Sequence, residues 1–219
     1  MWEWLKRNWF LADDAAPASA PVAAPEEPRP GHRVIDIVFH GPGFAGKTTN
    51  MQWIYQRTAP EAKDRMVSLA TETDRCLYCQ IYPRTVAHPS GEPLCVRLSS
   101  VPGPVFYDES RVRILRSADG VIFVADSQVD RTEANLESLE TLDNALEANG
   151  VHGGRVPRVF QYNKRDLPGL MPVEEMEAQL NPRAASHFAA VASRGEGVFP
   201  TLKECVRLVL LRAAESGPT

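Results

Sequence analysis

The sequence predicts an α/β fold, a mostly parallel sheet with helices on both faces, and three observations predict it. Apolar, β-branched runs of strand length alternate with amphipathic segments of helix length from residue 34 onward. The run VIDIVF (34–39) leads into GPGFAGKTT (41–49), which fits G-x-x-x-x-G-K-[ST], a phosphate-binding loop set between a strand and a helix. A second polar motif, NKRD (163–166), stands where a later apolar strand ends. Ligands of doubly wound sheets bind in crevices outside such strand ends.

Each element has its own reason. Residues 34–39 are short and apolar enough for a buried strand, and Met51, Ile54 and Tyr55 recur at helical spacing in a helix over 46–58. Strands follow near 66–70 and 77–82. A turn at HPSG (88–91) leads into LCVRLS (94–99), and that hairpin predicts one antiparallel strand in the sheet. Next come a helix near 106–117, an apolar strand over 120–125 and a long helix over 131–149 that Gly150 stops. Its Leu136, Leu139, Leu142 and Leu146 form a one-sided stripe assigned to the core. A strand over 157–162, a short helix over 173–180, a last strand over 187–192 and a closing helix over 201–214 complete the domain. The closing helix is apolar through Leu202, Val206 and Val209.

At 219 residues the chain has room for one domain of ordinary size and a tail. The tail is legible as two parts. Residues 15–31 are rich in Ala and Pro, with no core-forming pattern, and read as a disordered, semi-extended linker. Residues 1–14, MWEWLKRNWFLADD, carry Trp2, Trp4 and Trp9 beside Lys6 and Arg7; on a helix Trp2, Leu5 and Trp9 share a face. An isolated helix of this length needs a surface to form. Membrane contact through interfacial Trp, docking into a groove on a partner or on its own domain, and a disordered start are the three readings. The folded domain is placed at 32–215.

Composition narrows the function classes. The formal charge of −4 argues against nucleic acid as the main partner. Cys76, Cys79, Cys95 and Cys205 make no disulfide framework; Cys76-x-x-Cys79 lacks a second pair and reads as ordinary thiols. No apolar run reaches the roughly 18 residues of a membrane span. The N-terminus has no secretory signal pattern either, so the chain is expected to be cytoplasmic.

The chemistry sits in the two motifs. Gly41, Gly43 and Gly46 let backbone N–H groups close on a phosphate with no Cβ in the way, with Phe44, Ala45 and Thr49 completing the loop. The helix N-terminus adds N–H donors and partial positive charge. Lys47 is placed to reach the β- and γ-phosphates, and the Thr48 hydroxyl to hold Mg²⁺. Asp166 matches guanine, whose N1–H and exocyclic amine give it two donors; adenine would leave the carboxylate unpaired. Asn163 is expected on the N7 side and tied to the phosphate loop, with the stem of Lys164 covering the base.

In this order the motifs resemble a Ras-like G domain. The segments GPGFAGKTTN (41–50), SLATETDR (68–75), VPGPVFYDESR (101–111), VIFVADSQ (121–128), EANLESLE (133–140) and QYNKRDLP (161–168) resemble more finely the bacterial mutual-gliding-protein-A (MglA) family of polarity and motility GTPases. The resemblance runs from about residue 34 to 212. It implies a GTP/GDP switch with Mg²⁺, acting at cell poles, a Roadblock-fold (MglB-like) activating dimer, and motility or polarity effectors; a membrane-peripheral placement rests on residues 1–14, which the resemblance does not cover. It also places Ala192 and Ser193 where Ras-like proteins offer a backbone N–H to guanine O6, and a nucleotide-sensitive surface near 68–80 and 101–112.

The implied catalytic layout is incomplete. Arg75 stands where the family carries its arginine finger, a cation for charge on the γ-phosphate. Cys76 stands in place of a Mg²⁺-coordinating threonine, and a neutral thiol is a poor ligand for a hard cation. Gly103 keeps an N–H for the γ-phosphate, but Pro104 replaces the water-orienting glutamine and has neither a polar side chain nor an N–H. Ser100 is a milder change, since this family uses a hydroxyl residue there. A slow, partner-assisted GTPase is therefore the expectation. The alternatives are a GTP-bound scaffold without turnover, and a P-loop kinase or ATPase, which the NKRD motif disfavours.

Overall fold

The computed structural model describes residues 26–70, 75–101, 114–150 and 156–215, without the side chains of residues 69, 70, 75 and 76. Among the described residues, seven strands form one sheet: β1 (Arg33–His40), β2 (Val67–Ala70), β3 (Arg75–Ile81), β4 (Leu94–Ser100), β5 (Gly120–Asp126), β6 (Arg158–Asn163) and β7 (His187–Ala189). Their order across the sheet is β2-β3-β4-β1-β5-β6-β7. Pairing is parallel from β4 through β7, while β3 runs antiparallel to both β2 and β4. β3 is thus the one reversed strand that the hairpin at 88–91 predicts.

Strand alternation splits the apolar residues between two cores. Ile122 and Val124 of β5 face α1 (Lys47–Arg57) and α4 (Val198–Glu215), with Met51, Ile54, Leu202, Cys205 and Val206. Val121, Phe123 and Ala125 face the other way, onto α2 (Thr132–Ala148) and α3 (Val173–Leu180), with Leu142, Leu146, Met176 and Leu180. β5 is buried along its whole length, as a central parallel strand covered on both faces must be. The sheet is therefore mostly parallel with helices on both faces, as the sequence predicts.

Three details differ from the sequence reading. Leu136 of the leucine stripe is 42% exposed, and only Leu142 and Leu146 of the stripe are buried. Leu136 stands about 120° around α2 from Leu142 at 3.6 residues per turn, off the face that Asn135, Leu142 and Leu146 bury. The last strand ends at Ala189 and gives way to a 3₁₀ turn at Ala192–Arg194. The closing helix begins at Val198, one turn before residue 201. Of the helix expected near 106–117, residues 114–116 are helical and 102–113 lie outside the described residues.

Chain N-terminal to β1 also packs on the domain. The Arg29 guanidinium lies 3.9 Å from the centroid of the Tyr82 ring, donates to the Glu61 carbonyl at 3.0 Å and pairs with Asp64 at 3.2 Å. Gln80 donates to the Glu26 carbonyl. Contacts thus reach back across residue 32, where the sequence reading starts the domain. Residues 1–25 lie outside the described residues.

Candidate nucleotide-binding site

The loop between β1 and α1 is shaped by glycines that nothing larger could replace. Gly41 has φ +139°, and a Cβ there would stand 2.1 Å from the Val124 carbonyl oxygen. Gly46 has φ +103°, and its Cβ would stand 2.2 Å from Asn163 Nδ2. Phe44 also takes a positive φ, 64°, with its side chain 92% exposed, so it serves the loop through its backbone.

The carbonyls of the loop are held by side chains around it. Lys47 Nζ donates to the Gly41 and Pro42 carbonyls, each at 2.8 Å, and the residue is buried. Arg131 Nη2 donates to the Gly43 carbonyl at 2.9 Å. Asn163 Nδ2 donates to the Ala45 carbonyl at 2.7 Å, and Asn50 Nδ2 to the Gly46 carbonyl at 3.0 Å. Carbonyls engaged in this way leave N–H groups of the loop to a phosphate, apart from that of Ala45, which donates to the Pro42 carbonyl at 3.3 Å. Thr48 and Thr49 follow Lys47 in the first turn of α1, both partly buried.

The second motif docks on the first. Asn163 ends β6 and accepts from the Ala192 N–H at 2.9 Å through Oδ1, while its Nδ2 holds Ala45. One side chain thus joins the phosphate loop, the NKRD loop and the turn carrying Ala192 and Ser193. Lys164, at φ +66°, donates to Asp126 Oδ2 at 2.6 Å. The Asp166 carboxylate faces Arg194 Nη2 at 3.6 Å.

Sequence reasoning passed over several residues that build this site. Asp126 closes β5 with its carboxylate wholly buried, and Asn135 bonds both its N–H and its carbonyl, at 3.0 and 2.8 Å. Asn50 and Gln161 exchange two amide hydrogen bonds, at 2.7 and 3.0 Å, and Gln161 also donates to Thr201 Oγ1 at 3.1 Å. Polar side chains inside otherwise apolar runs, directly beside GKTT and NKRD, were the available signal.

Other expected residues fall outside what the structure describes at the site. Arg75 and Cys76 open β3, with side chains outside the described residues; Gly103 and Pro104 lie outside them altogether. Cys79, Cys95 and Cys205 are buried free thiols. Burial pushes Cys79 up to about 12 and Cys95 up to about 11, which leaves both protonated and poor ligands. Among the described residues no helix is long and apolar enough to cross a membrane.

A phosphate loop after β1 and an N-K-x-D motif at the end of β6, on either side of β5 in a mostly parallel, helix-covered sheet, define a P-loop protein of the Ras-like G-domain class. The chain is 50% identical over 181 residues to the mutual gliding-motility protein MglA of Myxococcus xanthus (strain DK1622), covering 83% of this chain and 93% of that protein. It is 34% identical over 104 residues to ADP-ribosylation factor-like protein 4C of Homo sapiens and of Mus musculus, covering 44% of this chain and 52% of each. No protein-family model matches. The chain belongs to the MglA family of Ras-superfamily small GTPases.

Proposed function

We propose that this chain is a GTP-binding switch of bacterial cell polarity and gliding motility that converts GTP to GDP at a slow intrinsic rate. The carrying observation is Asn163, whose one side chain joins the phosphate loop to the turn at Ala192. A base on the NKRD loop and a phosphate chain in the glycine loop then belong to one ligand. Asp166 reads guanine, Lys164 covers it, and N–H groups among residues 43–48, with Lys47, hold the phosphates.

The donor chemistry fits a magnesium nucleotide. The Thr48 hydroxyl, one residue after Lys47, suits a hard cation that takes most of its ligands from phosphate and water. That ion would offset charge building on the phosphate oxygens. Arg75 is the proposed cation on the γ-phosphate and Gly103 the N–H donor. With Pro104 and Cys76 in place of the usual glutamine and threonine, the chain supplies little to orient water, and a Roadblock-fold dimer is the proposed partner that completes the reaction.

Single-turnover hydrolysis of preloaded GTP tests this, with Arg75→Ala and Pro104→Gln beside the wild type. Conversion over hours, abolished by Arg75→Ala and accelerated by Pro104→Gln, is expected. Tight GTP retention with no conversion, even with a Roadblock partner added, would replace the switch by a GTP-bound scaffold. Preferential retention of ATP would remove the guanine reading. Residues 1–14 are proposed as a tethered docking segment for a membrane or a partner, and liposome flotation of the full chain against a version lacking them separates the two.

A further inference from the structure

We infer that Arg131, which lies outside both nucleotide motifs, is a positioning residue that sets the phosphate loop and couples it to the base-reading loop. The inference rests on the nucleotide-binding reading above and assigns this residue's part in it.

The turn between β5 and α2 lies between the two loops and is bonded to both. On one side it is fixed to NKRD and the chain after it: Ser127 N–H donates to the Asn163 carbonyl at 3.1 Å, Val129 N–H to the Gly169 carbonyl at 2.9 Å, and Met171 N–H to the Ser127 carbonyl at 2.8 Å. The Asp126 carboxylate, with no exposed surface, takes Lys164 Nζ on Oδ2 at 2.6 Å and the Gln128 N–H on Oδ1 at 3.2 Å. On the other side a 3₁₀ turn, Val129–Arg131, ends at the start of α2 and carries Arg131 toward the glycine loop. There Arg131 Nη2 donates to the Gly43 carbonyl at 2.9 Å, while its Nε stands 3.8 Å from Asp126 Oδ2.

The geometry assigns a task to each contact. Gly43 lies midway along a loop whose N–H groups must converge on an anion, so its carbonyl has to be held out of the way. A guanidinium presents several donors in a fixed fork, and this one spans a carbonyl and a carboxylate together. Lys164 and Arg131 share Asp126, so the side chain proposed to cover the base and the side chain that shapes the phosphate loop meet at one buried charge. A shift at either loop is therefore felt at the other.

The test measures dissociation of fluorescent mant-GTP and mant-GDP from wild type, Arg131→Ala, Arg131→Lys, Asp126→Asn and the double variant Arg131→Ala with Asp126→Asn, with the melting temperature of each nucleotide-free protein. Loss of the anchor that presets the loop predicts that Arg131→Ala releases both nucleotides about tenfold or more faster, while the nucleotide-free melting temperature falls by only about 2–4 °C, since the Arg131 side chain is a third exposed. Arg131→Lys recovers part of the loss, because an ammonium can satisfy the carbonyl but does not form the fork. In Asp126→Asn the effect of Arg131→Ala shrinks, as coupled residues require. Wild-type dissociation in Arg131→Ala overturns the inference. So does a loss that tracks the melting temperature across all variants, which marks a structural role alone. A wild-type protein that holds neither nucleotide strikes down the binding reading itself, and this inference with it.

Discussion

Asn163 Nδ2 lies 2.7 Å from the Ala45 carbonyl oxygen, so the residue that opens the base-reading motif is hydrogen-bonded to the phosphate loop 118 positions away in sequence. The same side chain accepts from the Ala192 N–H through its other terminus. Replacing it by alanine strips both backbone groups of their partner in a buried place. Each such group costs about 1–3 kcal/mol. Asn163→Ala is therefore expected to lower the nucleotide-free melting temperature and to speed GTP release at least tenfold, the first by thermal denaturation and the second by mant-nucleotide chase. Unchanged values in both would show that the tie carries no energy.

Gly46 is the tightest point of the cradle. Its φ of +103° disfavours any side chain, and a Cβ would stand 2.2 Å from Asn163 Nδ2. Left-handed strain alone costs about 1–2 kcal/mol, and the clash displaces the amide that holds Ala45. Gly46→Ala should thus lose GTP binding by more than tenfold in equilibrium titration while the fold persists by circular dichroism. Wild-type affinity would mean that the loop adjusts without Asn163.

Much of this was legible in the sequence, for physical reasons that differ by element. β5 reads as a strand because a central parallel strand must be apolar on both faces, and VIFVA is. The glycine loop reads because only glycine tolerates its backbone angles and its approach to Val124 and Asn163. Arg131 did not read, because its contacts depend on a 3₁₀ turn placing one side chain across 88 positions from Gly43, and nothing in the local pattern marks that. Leu136 misled for the converse reason. Helical spacing puts it only at the edge of the stripe, about 120° around from Leu142, and the polar Asn135 beside it takes the inward position.

The Asn50–Gln161 amide pair joins α1, directly after the phosphate loop, to β6, directly before NKRD. Both side chains are buried, and Gln161 also uses Thr201. Gln161→Leu keeps the volume but leaves Asn50 and Thr201 short of partners, at a cost of about 2 kcal/mol. Asn50→Ala and Gln161→Ala together should destabilise less than the sum of the single changes, since each alone orphans the other. Chemical denaturation of the four proteins in the cycle measures this, and strict additivity would deny the coupling.

Acid sensitivity should have a contribution from α4. Glu204 is buried and held below its ordinary value, first by the Arg207 guanidinium, which donates to both carboxylate oxygens at 2.7 Å, and also by Ser186 at 2.8 Å. A carboxylate lowered on folding binds its proton more readily in the unfolded chain. Its stabilising contribution is therefore complete above the ordinary carboxylate range and is lost as pH falls through the folded-state value. Glu204→Gln removes that titration while keeping the side chain's shape. As pH falls from 7 through the ordinary Glu value of about 4.3 and then below the depressed folded-state value, the wild type should accordingly lose more stability than Glu204→Gln, with the two curves converging only at the acid end of that range. Urea melts at pH intervals across that window provide the measurement, and parallel curves would place the acid sensitivity of this domain elsewhere.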